Sequence, residues 1–307
     1  MTLLVIKPTF ACNFNCPTCQ ERRTLYRQLQ KDKQLSIDDW LLCFDYAIPY
    51  FDKLTISGAE PLLYKDLYYM LHYSKFKNIS LNTNALLLDQ NTTHDLVESN
   101  LSEICISLTS LDSTTFMKLR NTTNVYAKDK IIKNIQYFNT YKKNILSVGM
   151  TFLTKYNLFE LPKIILSFKY LGFNCIVIDL LEGNFNSDEY RITEEQVIEF
   201  EKSMLFKIPY MYREELKQLL YKAITKEYRT YEQCNVPGNF CIILANGDVH
   251  PCNIHEYSHE PIIGNLFDCD MNIMNIMNNE SSKHFQKDRS KYCSRCPIKI
   301  NMCIRYE

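Results

Sequence analysis

What this chain lacks narrows its function before any motif is read. Its 35 basic and 35 acidic residues cancel to a formal charge of zero, and no basic run stands out. The electrostatic footprint of a nucleic-acid-binding protein is therefore missing. No apolar stretch approaches the roughly 20 residues of a membrane span. The start Met1-Thr-Leu-Leu-Val-Ile6 has neither the basic region nor the long apolar segment of a signal peptide. The expectation is a soluble, cytoplasmic protein with no membrane and no nucleic-acid partner. Only 7 glycines and 10 prolines occur in 307 residues, and no Ser/Gly-rich or repetitive stretch marks a linker. In a reducing compartment disulfides are not expected either, so the 13 cysteines read as metal ligands first.

With 46% hydrophobic residues the chain can bury a large core. Short β-branched or apolar runs at Leu3–Lys7, Lys53–Ile56, Asn78–Leu81, Glu103–Ile106, Leu146–Leu153 and Cys175–Leu180 alternate with segments of helical period. Such segments are Ile37–Phe51, Leu67–Lys75, Lys128–Tyr141, Asn157–Leu171 and Glu194–Leu205. Alternation of this kind makes an α/β protein with a parallel sheet and helices on its outer side. Six strands are too few for a closed eight-stranded barrel. Ligands of such sheets sit beyond the carboxyl ends of the strands, where the Cys12–Cys19 loop, Glu60, Thr83 and Ser107 all fall.

Cys12, Cys16 and Cys19 stand at C-x3-C-x2-C spacing with no fourth cysteine nearby. Three thiolates can hold three irons of a [4Fe–4S] cluster and leave the fourth iron without a protein ligand, whereas electron-transfer clusters take four cysteines and structural zinc prefers four closed ligands. An open iron is a place for chemistry. Ser57-Gly-Ala-Glu-Pro61 follows a strand, Thr83-Asn84 follows the next, and Ser107 and Arg120 come later. The trio and these segments, in this order, resemble the signature of the radical S-adenosylmethionine (radical SAM) superfamily. The resemblance implies a partial (βα)6 radical SAM barrel that binds a [4Fe–4S] cluster and SAM. Glu60 and the backbone at Gly58 and Ala59 would hold the methionyl ammonium, with Thr83 and Asn84 beside them. Ser107 and Arg120 would contact ribose or carboxylate. Thr18 stands where that family places an aromatic residue, which leaves Phe14 as the substitute for stacking adenine.

A second cysteine group follows the helical stretch Arg213–Tyr228: Cys234, Cys252, Cys293 and Cys296. Asn246-Gly247 between two apolar runs reads as a tight hairpin turn that carries Cys252 at its exit. The group resembles the small cysteine-rich twitch/SPASM-like domain of many radical SAM maturases and dehydrogenases. It implies one auxiliary [4Fe–4S] cluster with those four cysteines as ligands; a zinc site of the same four is the alternative. The division expected is a barrel over 1–205, a helical connection over 206–233 and the auxiliary domain over 234–307. Cys241 and Cys303 stay open between ligand and thiol, and Cys241 is the candidate hydrogen donor should the reaction be an epimerisation. Cys43, Cys105, Cys175 and Cys269 read as buried apolar fillers.

The resemblance implies reductive cleavage of SAM, fed by a reductant such as flavodoxin or ferredoxin, and hydrogen abstraction from a substrate C–H bond. The substrate expected first is a ribosomally made peptide, to be epimerised, cross-linked or oxidised. Cys12 lies too near the start for a peptide-recognition domain, so such a peptide would need a separate carrier or direct binding. A dehydrogenase or epimerase of an amino-sugar or other small molecule is the alternative. A non-catalytic iron–sulfur or zinc protein is the reading from another class, and a pocket for a zwitterion argues against it.

Overall fold

The computed structural model describes residues 2–19, 29, 32–180, 188–225, 239–252, 262–287 and 302–306. Strands β1 (Leu3–Lys7), β2 (Lys53–Ile56), β3 (Asn78–Thr83), β4 (Glu103–Ser107), β5 (Leu146–Leu153) and β6 (Cys175–Leu180) pair in parallel, each with the next. β3 runs on through Asn82 and Thr83 and β4 through Ser107, past the ends expected from sequence. Helices α1 (Ile37–Ala47), α2 (Leu67–Tyr73), α3 (Gln90–Val97), α4 (Ser113–Arg120), α5 (Ala127–Tyr141), α6 (Leu161–Tyr170) and α7 (Glu194–Ser203) lie between and after them.

Local chemistry sets several of these boundaries. Ser36 Oγ accepts from the Asp39 N–H while the Asp39 carboxylate accepts from the Ser36 N–H, so two donors at the start of α1 are satisfied reciprocally. The same helix stops at Ala47, short of the expected Phe51, because Pro49 has no N–H to continue it. The segment expected to be helical from Asn157 opens as a 3-10 turn, Leu158–Glu160, before α6 begins with Pro162 in its first turn.

Strand alternation separates two faces. Ile104, Ile106, Ile176 and Ile178 are fully buried with Phe116, Phe138 and Phe168 of the helices. A Cβ at Gly149 would lie 3.0 Å from the Phe168 ring of α6, which marks that face of β5 as helix-facing. Gly149 is level with Ile106 and Ile176, so the next row, Ser107, Met150 and Val177, faces the inside of the curved sheet.

The sheet has ten strands where the periodicity indicated six in the barrel. β7 (Phe240–Leu244) adds in parallel to β1, and β8 (Asp248–His250) and β9 (Gly264–Asn265) follow antiparallel. β10 (Met302–Arg305) adds antiparallel to β6 at the other edge. Both edges of the parallel sheet are thereby covered by residues from the C-terminal part of the chain, which blunts two exposed pairing edges. The expected hairpin joins β7 to β8. Its Gly247 N–H donates to Leu244 O at 2.9 Å and takes φ +85°, the left-handed conformation that follows a type I turn in a three-residue loop. Helices α8 (Arg213–Thr225), α9 (Ile273–Met277) and α10 (Glu280–Lys287) complete the described elements. No helix among the described residues is long and apolar enough to cross a membrane.

Candidate active site

The Cys12–Cys19 loop leaves β1 and is tied down across the carboxyl ends of the strands. Glu60 N–H donates to Ala11 O at 2.9 Å, Asn84 Nδ2 donates to Asn13 Oδ1 at 2.7 Å, and Asn15 N–H donates to Arg120 O at 3.3 Å. Those three partners follow β2, follow β3 and end α4, so one loop is anchored to three consecutive units. Within it the Phe14 N–H donates to Cys12 Sγ at 3.4 Å and the Cys19 N–H to Cys16 O at 3.1 Å. Among the described residues no three His, Cys, Asp or Glu side chains converge to share one metal ion. A four-iron cluster asks for something else, each thiolate taking its own iron. Three part-buried thiols on a tethered loop, one accepting a backbone N–H and one facing a guanidinium, fit that group.

Gly58 shows why the chain is glycine there. Its φ is +109°, and an added Cβ would meet Lys7 Cβ at 3.1 Å and Lys7 Cα at 3.3 Å. The turn after β2 thus packs directly on the end of β1, which lets Glu60 reach inward. Glu60 is 1% exposed. Its carboxylate accepts from Thr83 Oγ1–H at 2.6 Å, Asn84 N–H at 2.9 Å and Leu62 N–H at 3.2 Å. Burial raises its pKa, and the three hydrogen bonds and the charge of Arg120 oppose that rise. A carboxylate has about four acceptor sites, so Glu60 acts in this geometry first as a brace between the ends of β2 and β3. Thr83 and Asn84 are committed to the same network, Thr83 Oγ1 also accepting from the Ala85 N–H at 3.1 Å.

Two of the expected ligand contacts have atoms to offer. Ser107 lies partly exposed on the inner face, and its hydroxyl makes no hydrogen bond within the described residues, while its carbonyl accepts from Arg120 Nη2 at 2.6 Å. Arg120 reaches toward Cys16 Sγ, with Nη1 at 3.7 Å, and its buried Nε–H has no partner among the described residues. Phe14 is different. Its ring is 4% exposed, packed edge-on against Phe116 at 6.1 Å with the Arg120 guanidinium 5.3 Å from its centroid. A ring this deeply buried offers adenine little open face, so Phe14 acts here as packing beneath Arg120 rather than as the stacking residue expected from sequence.

Cys241 is a second correction. It sits opposite Leu4 on the helix-facing side of the sheet, fully buried, with burial driving its thiol pKa up. Cys43 of α1 is its neighbour there. A hydrogen donor must face the inside of the barrel, and this thiol points the other way. Cys252 is buried just past β8; Cys234, Cys293 and Cys296 lie outside the described residues. Cys303 lies exposed on β10, where its thiol is a neighbour of Cys175 on β6. Cys43 and Cys105 are buried, whereas Cys175 and Cys269 are only partly so.

Sequence reasoning passed over two loop braces and one inward carboxylate. Glu160 accepts from Ser110 Oγ–H and from the Leu111 and Asp112 N–H groups, and Asn157 Nδ2 donates to Thr109 O at 2.6 Å. Both hold the loop after β4 against that after β5. Asp179 sits near the end of β6 on the inner face. A lone acid in the apolar run Cys-Ile-Val-Ile-Asp-Leu was the signal that could have found it.

Such a site, a cysteine loop strapped over the carboxyl ends of a six-unit partial barrel with a cysteine-bearing extension on its flank, defines the class. The family model of the radical SAM superfamily matches residues 6–167, and that of the SPASM iron–sulfur cluster-binding domain matches residues 234–297. The chain belongs to the radical SAM superfamily and is an enzyme of that superfamily with a C-terminal SPASM-like auxiliary domain. GTP 3',8-cyclase of Campylobacter lari is 33% identical over 140 residues, covering 43% of this chain and 40% of the cyclase. The match thus spans well under half of that curated relative. Among solved structures, Streptococcus suis SuiB bound to its precursor peptide SuiA shares the fold at TM-score 0.68 and 17% identity, over 97% of this chain and 70% of SuiB. BtrN in complex with AdoMet and 2-DOIA gives TM-score 0.52 and 14% identity, over 97% and 93%. At these identities the likeness speaks for the fold alone.

Proposed function

We propose that this protein cleaves SAM reductively and uses the resulting radical to take hydrogen from a C–H bond of a ribosomally made peptide. When bound, a reduced [4Fe–4S] cluster supplies the electron that splits SAM into methionine and a 5'-deoxyadenosyl radical. The chain's own residues do the rest. Cys12, Cys16 and Cys19 would hold three irons of the cluster, and three tethers hold the loop that carries them in place. Backbone at Gly58 and Ala59, the Ser107 hydroxyl and Arg120 would orient SAM, a zwitterion that needs both donors and acceptors. The inner wall, with Met150, Phe152 and Val177, would keep water from the radical. The observation that carries the reading is the cysteine loop anchored at three points beside Ser107 and Arg120.

A peptide substrate is supported by likeness to SuiB, solved with a precursor peptide, over nearly the whole chain. The small-molecule reading keeps support from the cyclase match and from BtrN. In the auxiliary domain Cys234, Cys252, Cys293 and Cys296 would hold a second [4Fe–4S] cluster, able to take an electron from the substrate radical or to orient the substrate. The test uses anaerobically reconstituted protein with dithionite and SAM, reading 5'-deoxyadenosine and its deuterium content from deuterated peptide or amino-sugar. Deuterium from the peptide alone supports the first reading, and from the sugar alone the second. No deoxyadenosine sinks both. About four irons plus one zinc per chain would reject the auxiliary cluster.

A further inference from the structure

The inner wall of β2–β6 carries charge at three positions among its described residues, and two are compensated. Lys53 Nζ lies 2.9 Å from Glu103 Oε1, and the Ser80 hydroxyl donates to the same oxygen at 2.7 Å. Asp179 is the third. Register places it level with Phe152, one inward-facing row closer to the mouth than Ser107, Met150 and Val177. It is partly exposed although it faces the inside of the curved sheet, so a small group can reach it from that side.

Its carboxylate accepts one hydrogen bond, from the Leu180 N–H at 2.8 Å, and makes no ion pair with any described residue. By register its neighbours on the inner face are Phe152 beside it and Val177 two residues before it, with Met150 level with Val177, all apolar. Burial in that wall pushes its pKa up to about 6. An ionised carboxylate in such surroundings is costly unless a donor meets it, and a valine at this strand position would cost nothing. An apolar pocket with one directed polar group is the usual form of a recognition site.

We propose that Asp179 anchors a cationic nitrogen of the substrate, an ammonium or guanidinium, at the mouth of the barrel. The inference rests on the proposed function above. The residues expected to bind SAM lie at the ends of β1 to β4 and on the helix after β4, whereas Asp179 is on β6, two strands away from Ser107. Lysine or arginine in a peptide and the amine of an amino-sugar share this chemistry.

The test is saturation-transfer NMR on the cluster-loaded, SAM-bound protein with two matched pairs of probes. One pair is a capped Ala-Lys-Ala tripeptide and its norleucine analogue; the other is glucosamine and glucose. In at least one pair the cationic member should give the stronger effect by about threefold or more. The pair that does so identifies the source. Asp179→Asn should erase that preference and Asp179→Glu should keep it, with circular dichroism confirming that each variant folds. Absence of preference in both wild-type pairs, or its survival in Asp179→Asn, overturns the proposal. So does a loss of SAM affinity in Asp179→Asn, which would place the carboxylate at SAM. A wild-type protein that makes no 5'-deoxyadenosine fails the radical reading instead, whatever the NMR shows.

Discussion

Replacing Glu60 by glutamine separates a brace from a ligand contact. Glutamine keeps the shape but turns one acceptor oxygen into an NH2 donor. If that NH2 takes the place of Oε2, it meets the Asn84 N–H that now donates there at 2.9 Å. If it replaces Oε1, it meets the Leu62 N–H at 3.2 Å and the Thr83 hydroxyl at 2.6 Å. The hydroxyl can turn round, but the N–H cannot, so either way a backbone donor loses its acceptor. A lost charge-assisted bond costs about 1.5–3 kcal/mol. Removing a charge that burial disfavours, as the raised pKa shows, returns part of it. The net expectation is a loss of about 2 kcal/mol, or roughly 3 °C in Tm for a chain of 307 residues. The assay is anaerobic thermal unfolding with SAM withheld, followed by SAM titration. A brace lowers the unfolding midpoint without SAM, and weaker SAM binding follows from the displaced loop. An unchanged midpoint with about tenfold weaker SAM binding would refute the brace and restore Glu60 as a direct partner of the SAM ammonium.

Changing Cys12, Cys16 and Cys19 together to alanine should abolish 5'-deoxyadenosine formation while part of the iron remains at the C-terminal site; retained formation in that variant overturns the radical reading. Cys241→Ala should form normal product, because its thiol faces the helices, with a stability loss of about 1 kcal/mol from the small void. Loss of product in a variant of full stability would return the donor role to Cys241. Asp179→Asn tests the carboxyl by pH. A pKa raised from 3.8 to about 6 gives a contribution that is fully present below the lower value and lost as pH rises through the higher. The variant should therefore gain about 1 kcal/mol relative to wild type between pH 5 and pH 7.5; urea unfolding at both values reads it, and a flat difference contradicts the burial of this group.

Much of this protein was legible in one dimension. Six strands and their order follow from period-two runs broken by helical stretches, and the cysteine trio announces its chemistry by spacing. Ser36 and Gly247 fix a helix start and a turn through groups only a few residues away. These are short-range facts, set by backbone geometry and neighbouring side chains. Which atoms are left for a ligand is another matter. Glu60, Thr83 and Asn84 were rightly placed at strand ends, yet only the meeting of the β2 and β3 loops decides that their polar atoms are largely spent on one another. Cys241 lies beside β1, far from it in sequence, and its register against Leu4, invisible in the pattern Phe-Cys-Ile-Ile-Leu, turns its thiol toward α1. β10 exists because the β6 edge offers it unpaired backbone groups. Asp179 is the intermediate case: alternation along its strand could assign its parity, but only the curved sheet says which parity faces the cavity. Local sequence sets the element and its phase, whereas the partner that satisfies or leaves each polar group is chosen by packing between distant segments.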